Sequence, residues 1–272
     1  MDGAARHNAA VSLHTTTYGE DGSPIVFCHG LFGQGRNWTA VAKALADAHR
    51  TVLVDLPHHG RSPWLESFDY LEVADQLADL LGRLFGRDDA VTLVGHSMGG
   101  KAAMVTALRA PELVGRLCVV DIAPVDYGSS GEFAGYVEAM QALDLDSLER
   151  RADADAALQS AVPIRTVRDF LLQNLQREGN GWRWQVNLEV LGRDLDALSA
   201  WPADRLAGLA PFRGPVAWIA GADSPYVRME QEAEMRRLFP HTRKIVIKGA
   251  GHWVHAQRPE VVIEVLRKLA GG

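Results

Sequence analysis

The run Ala90-Val-Thr-Leu-Val-Gly-His-Ser-Met-Gly-Gly-Lys101 places a serine between an apolar, β-prone stretch and a helix-forming one. Its core is the pattern Gly95-x-Ser97-x-Gly99, with small residues two places either side of Ser97. Such a pattern lets the backbone turn sharply from strand to helix, lifting the hydroxyl above a sheet and leaving the next N–H, that of Met98, free for an oxyanion. A serine nucleophile needs a base, and the base needs an orienting acid. Of the ten histidines, His252 in Gly249-Ala-Gly-His-Trp-Val-His255 directly follows the last strand-like run, so it emerges at the same sheet edge as Ser97. His255 is read as structural.

The acid must lie between Ser97 and His252 at a strand end. Asp121 ends an apolar run in Asp121-Ile-Ala-Pro124, and Asp223 follows another in Gly221-Ala-Asp-Ser224. In the usual register the acid is the third residue after that glycine, here Ser224, so Asp223 is one place out and Asp121 is favoured. Asp223 stays open as the alternative. An oxyanion needs two donors, and the turn His29-Gly-Leu-Phe-Gly33 offers the N–H of Leu31 to pair with that of Met98. Losing one such donor typically costs ~3 kcal/mol of barrier. The spacing Gly30-x-x-Gly33-x-Gly35 matches neither the dinucleotide nor the P-loop pattern. Adjacent His58 and His59 lack the carboxylate pattern of a metal site and are read as a turn shaping the site wall. Phe32, Trp182, Trp184 and Trp253 are the candidate lining of an acyl pocket, with Trp182 and Trp184 serving equally well as core of an insertion. Lys101, one turn past the serine, reads as structural or functional.

Strand-like runs at 11–17, 25–28, 51–55, 90–94, 117–121, 216–220 and 244–247 alternate with helix-like runs at 37–48, 71–85, 98–109, 228–238 and 260–269. That order predicts an α/β fold, a mainly parallel sheet flanked by helices. Between 125 and 211 the alternation stops, and helix-like segments at 132–143, 145–158, 164–177 and 186–198 predict an inserted helical cap without strands. The expected organisation is a core of 11–124 and 212–270, a cap of 125–211, and a disordered tail of 1–10.

The chain has 272 residues, 47% of them hydrophobic and 23% charged, and a net charge of −6. Such a chain is long enough for one large domain and has no electrostatic call on nucleic acid or an anionic membrane. Residues 1–10 lack a signal-peptide core, and no run approaches the ~20 apolar residues of a membrane span. The two cysteines, Cys28 and Cys118, sit in strand-like runs and read as buried thiols in a reducing compartment, so a cytoplasmic location is expected.

Four signals in order, His29-Gly-Leu-Phe, Asp55-Leu-Pro-His-His-Gly-Arg-Ser-Pro63, Gly95-His-Ser-Met-Gly-Gly-Lys101 and Gly251-His-Trp-Val-His255, make the chain resemble the α/β-hydrolase superfamily from 11 to 269. Asp121-Ile-Ala-Pro-Val-Asp-Tyr127 and Ser224-Pro-Tyr-Val227 look like the small-cap bacterial carboxylesterases and acyl-CoA thioesterases, and like mitochondrial abhydrolase-domain esterases. The resemblance implies ester or thioester hydrolysis of small to medium acyl groups through an acyl-enzyme, with no cofactor or metal. It also implies Asp121 as the acid, although this chain carries Asp223 where those relatives tend to have asparagine. Menaquinone-pathway lyases and cofactor-free perhydrolases resemble the same scaffold, and a lyase would need arginines facing Ser97, for which Arg36, Arg165 and Arg168 are candidates. A non-enzymatic receptor on this scaffold would not need the intact serine, histidine and acid set.

Overall fold

The computed structural model describes residues 12–86, 89–128 and 131–271, so the expected tail at 1–10 and the start of the first expected strand lie outside the described residues. The strands are β1 (Thr15–Tyr18), β2 (Ser23–Cys28), β3 (His49–Val54), β4 (Val91–His96), β5 (Val114–Val120), β6 (Leu175–Glu178), β7 (Gly181–Trp184), β8 (Val216–Gly221) and β9 (Thr242–Ile247). The helices are α1 (Thr39–Leu45), α2 (Tyr70–Phe85), α3 (Met98–Arg109), α4 (Gly131–Gln141), α5 (Arg151–Leu158), α6 (Arg165–Leu172), α7 (Leu188–Arg193), α8 (Leu195–Ser199), α9 (Glu232–Leu238), α10 (Val254–Gln257) and α11 (Pro259–Ala270).

Seven strands form one sheet in the order β1-β3-β2-β4-β5-β8-β9. Only β1 runs antiparallel to its neighbour, β3. Strands covered on both faces need no polar side, and β4 and β8 are buried along their whole lengths. On one face Phe27, Val94, Val120 and Ile219 pack with Trp38, α1 and α11. On the other, Val26, Leu93 and Val119 pack with α2 and α3. Helix α3 is buried at every residue except Arg109. Helix α2 is capped by Asp69, whose carboxylate accepts from the Leu71 N–H at 2.7 Å, and ends at Gly86 with φ +72.

Between β5 and β8 the chain leaves the sheet for α4 to α8. The expectation of a strand-free segment fails here. The helix expected over 164–177 ends at Leu172, where the Asn174 N–H and side-chain amide both bond to the Leu171 carbonyl. The chain then enters the antiparallel β6–β7 hairpin, turned by Gly179 with φ +59. The helix expected over 145–158 begins only at Arg151, after a single tighter turn at Leu145–Ser147.

Candidate active site

Ser97 joins β4 to α3 with φ +52, a left-handed conformation that a serine seldom adopts. Its N–H continues the sheet by donating to the Val120 carbonyl at 3.1 Å, and its own carbonyl accepts from the Lys101 N–H at 3.0 Å to begin the helix. A β-carbon on Gly95 would overlap the Gly99 carbonyl, and one on Gly99 would overlap the His29 carbonyl. Both glycines of the pattern are therefore required by backbone crossing at the turn. Met98, the first residue of α3, has no intrahelical acceptor for its N–H, which lies at the positive end of the helix dipole.

His252 follows β9, and its Nδ1–H donates to Asp121 Oδ2 at 2.8 Å. Asp121 is 0% exposed, sits at the end of β5 with φ +53, and also accepts from the Gly221 N–H at 2.9 Å and the Ser224 hydroxyl. Three donors offset the cost of burying a carboxylate. Asp223 is exposed, and its N–H donates to the Ala250 carbonyl at 3.0 Å. Among the described residues it is Asp121, not Asp223, whose carboxylate meets His252. Ser224, the residue in the expected register for an acid, holds that carboxylate instead of replacing it. The His252 ring is flanked by Tyr226 at 4.2 Å and His96 at 4.6 Å, and its carbonyl accepts from His96 Nε2–H at 2.9 Å.

The Leu31 loop is held by two buried histidines. The Gly30 carbonyl accepts from the Gly33 N–H at 2.9 Å and from His29 Nδ1–H at 2.8 Å. Because the peptide is planar and trans, fixing that carbonyl also fixes the direction of the Leu31 N–H on its far side. His29 Nε2 accepts from the Leu56 N–H at 2.9 Å, and His59 Nε2 accepts from the Phe32 N–H at 3.2 Å. Both rings must be neutral to accept. Burial lowers the pKa of His29 and holds that of His59 well below the usual histidine value. Of the adjacent pair, His59 thus supports the Leu31 loop, whereas the His58 ring meets the Ser67 carbonyl and lines neither hollow at Ser97. Among the described residues no cluster of three or more histidine, cysteine or acidic side chains could hold a metal.

Two hollows meet at Ser97. One, of about 260 Å³, is lined by Leu31, Met98, Lys101, Tyr127 and Tyr226 as well as Ser97, with Arg228 at its wall. The other is a slot of about 20 Å³ lined by Ser97, His252, Phe32, Phe170 and Trp253. Phe32 and Trp253 thus lie where a pocket lining is expected. Trp182 and Trp184 line neither hollow. They stand on β7, where Trp182 Nε1–H donates to the Leu148 carbonyl at 2.9 Å and both rings pack on the cluster of Ala154, Leu158, Leu172 and Leu175. Tyr127 and Tyr226 stand in the motifs that carry the resemblance but, like Phe170, were not expected in the pocket lining, since nothing in their local pattern marks them as facing the hollows.

Lys101 is buried and donates from Nζ to the Ser199 and Ala200 carbonyls at 2.6 and 2.8 Å, under the rings of Tyr127 and Tyr70. Burial pulls its pKa down to about 7. The residue therefore ties the end of α8 to α3 while lining the larger hollow. His255 stacks on Trp38 at 4.4 Å, buried in the core. Neither hollow is lined by Arg36, Arg165 or Arg168. Arg168 is bound to Asp155 and to the Val162 carbonyl, Arg165 faces Asp169, and Arg36 donates to the Gln173 carbonyl. Cys28 and Cys118 are free and buried, and burial pushes both thiols up to about 12, far from a reactive thiolate.

Comparisons with known proteins agree with this architecture. The sn-1-specific diacylglycerol lipase ABHD11 of Mus musculus is 38% identical over 242 residues, covering 87% of this chain and 77% of that protein. Esterase YbfF of Escherichia coli (strain K12) is 32% identical over 258 residues, covering 95% of this chain and 97% of its own. A solved marine microorganism esterase superposes with a TM-score of 0.90 at 29% identity, over 95% of this chain and 99% of that one. The family model of the alpha/beta hydrolase fold matches residues 23–259, and the chain belongs to that family.

Proposed function

We propose that this protein is a serine hydrolase that cleaves carboxylic esters or thioesters of small to medium acyl groups through an acyl-enzyme. The observation that carries the reading is the part-buried Asp121–His252 bond, at 2.8 Å, with His252 sharing a slot with a serine held in a left-handed strand-to-helix turn. Asp121 fixes His252 with its proton on Nδ1, which leaves Nε2 to take the Ser97 hydroxyl proton as the oxygen attacks the carbonyl. The N–H groups of Leu31 and Met98 receive the negative oxygen of the tetrahedral intermediate. Protonated His252 then donates to the leaving alcohol or thiol. Water, deprotonated by the same ring, releases the acid and regenerates Ser97. Each step uses only protein groups and water, so the proposed reaction calls for no cofactor.

The names of the similar proteins, a lipase and esterases, support ester hydrolysis. The larger hollow suits one arm of a small-molecule substrate, and the segment 125–211 serves as a cap over it, since Phe133, Leu195 and Leu198 form part of its wall. Arg36, Arg165 and Arg168, the arginines that a lyase acting on a polyanion would need, are engaged elsewhere, which leaves Arg228 as the arginine at the wall of the larger hollow. Among the described residues no helix is long and apolar enough to cross a membrane. The two buried free thiols fit a reducing compartment such as the cytoplasm. Ser97→Ala should abolish hydrolysis of p-nitrophenyl butyrate and of a short acyl-CoA alike. Turnover of either at the wild-type rate would refute the serine mechanism.

A further inference from the structure

The turn that carries Leu31 has a third holder besides His29 and His59, and it comes from the segment inserted between β5 and β8. Asn174 stands two residues past α6 and is 0% exposed. Its Nδ2 donates to the Phe32 carbonyl at 2.7 Å and to the Leu171 carbonyl at 3.2 Å, and its Oδ1 accepts from Gln34 Nε2 at 2.8 Å. Beside it, Asn37 Nδ2 donates to Gln173 Oε1 at 2.8 Å, and the Arg36 guanidinium reaches the Gln173 carbonyl. A buried amide with both of its N–H groups and its oxygen engaged specifies one orientation, which an apolar contact would not.

The object being oriented is strained. Phe32 has φ +59, which an aromatic side chain rarely adopts. His59 holds its N–H and Asn174 holds its carbonyl, so each of the two peptide planes flanking Phe32 has one side-chain pin, the second plane being held also by the Gly33 N–H on the Gly30 carbonyl. If Phe32 relaxed, the Gly33 N–H would swing away from the Gly30 carbonyl, and the Gly30–Leu31 peptide would be free to rotate with its N–H. One of the two side-chain pins comes from the loop after β3 and the other from the end of α6. That same helix contributes Val167, Phe170 and Leu171 to the slot beside Ser97.

We propose that Asn174 is a positioning residue for the oxyanion-binding turn, and that it makes the alignment of the Leu31 N–H depend on α6 being docked. An apolar group in the slot packs against α6 and so supports that docking. The chain that fills the slot should therefore raise kcat and not only lower KM. This inference rests on the reading of Ser97 and Leu31 given above.

The test uses the full-length Asn174→Ala and Asn174→Asp variants, with Gln34→Ala alongside. It measures kcat and KM on p-nitrophenyl acetate and p-nitrophenyl hexanoate, and the second-order rate of inactivation by a p-nitrophenyl alkylphosphonate. A misplaced donor costs roughly 10- to 100-fold in rate. Asn174→Ala is expected to lower kcat by about that factor with KM within about threefold, and to slow phosphonylation in parallel. The kcat advantage of hexanoate over acetate should shrink. Asn174→Asp keeps the acceptor for Gln34 but offers Phe32 no donor, and should lose as much. Gln34→Ala, which frees the amide to rotate, should lose about two- to tenfold in kcat, and it decides the matter if the Asn174 variants do not fold. A folded Asn174→Ala with wild-type kcat and a raised KM or lowered Tm would show an anchor and overturn the proposal, as would wild-type kcat in Gln34→Ala when it alone can be measured. Ser97→Ala separates the two levels. Turnover retained there overturns the site reading together with this inference, whereas an inactive Ser97→Ala beside an Asn174→Ala of undiminished kcat overturns this inference alone.

Discussion

Asp121 and Asp223 leave their strands at one sheet edge, yet only one reaches His252. Asp121 turns inward through a left-handed backbone and takes three donors, while Asp223 stays in solvent with its N–H on Ala250. Asp121→Asn should therefore lower kcat on p-nitrophenyl butyrate by about 10⁴, as loss of a histidine-orienting carboxylate does, with Asp223→Asn within about threefold of wild type. The reverse ranking in steady-state kinetics would transfer the acid role. At this scale the sequence was legible where backbone geometry restricts residue type. Glycines beside Ser97 and a histidine after the last strand are such places. It was silent where a long-range contact decides. Asn174 meets Phe32 across 142 positions, and Trp182 is drawn to Leu148 by a hairpin that no helical periodicity reveals.

The strand-to-helix element around Ser97 is held by crossings of main chain, which makes it brittle. Gly99→Ala puts a methyl group into the His29 carbonyl, a backbone atom that cannot step aside as a side chain would. We expect this variant to lose activity together with several degrees of Tm, read by thermal denaturation and by ester hydrolysis on one sample. Wild-type Tm and activity would mean that the turn is looser than its geometry implies. The central strands could be read from sequence because burial on both faces writes continuous apolar runs. The β6–β7 hairpin could not, because Leu-Gln-Arg-Glu and Gly-Trp-Arg-Trp are short and half exposed; Gly179-Asn-Gly181 was the only local sign of a turn.

Across the whole molecule, buried histidines make stability sensitive to acid. Burial, followed by the neighbouring His252, takes His255 from the usual 6.5 down to about 3. Between those values the unfolded chain binds a proton that the folded chain refuses, so stability falls as pH is lowered from about 6.5 toward 3. His96 and His59 are shifted in the same direction by burial and add to the slope. His255→Phe keeps a ring against Trp38 and removes the titration, so its Tm relative to wild type should be more favourable at pH 5 than at pH 7; an equal difference at both would contradict the linkage. Above neutrality the sign follows Lys101, whose folded value near 7 lies below the ordinary 10.5, so stability rises with pH between the two and Lys101→Met should flatten that rise. Ser97, the proposed nucleophile, stands where two hollows meet. Its most direct test is stoichiometric labelling with a p-nitrophenyl alkylphosphonate followed by peptide mapping. One phosphonyl group per chain, on Ser97 and absent from His252→Ala over the same interval, is the result predicted. Labelling of another residue, or full loss of activity with Ser97 unmodified, would contradict the account.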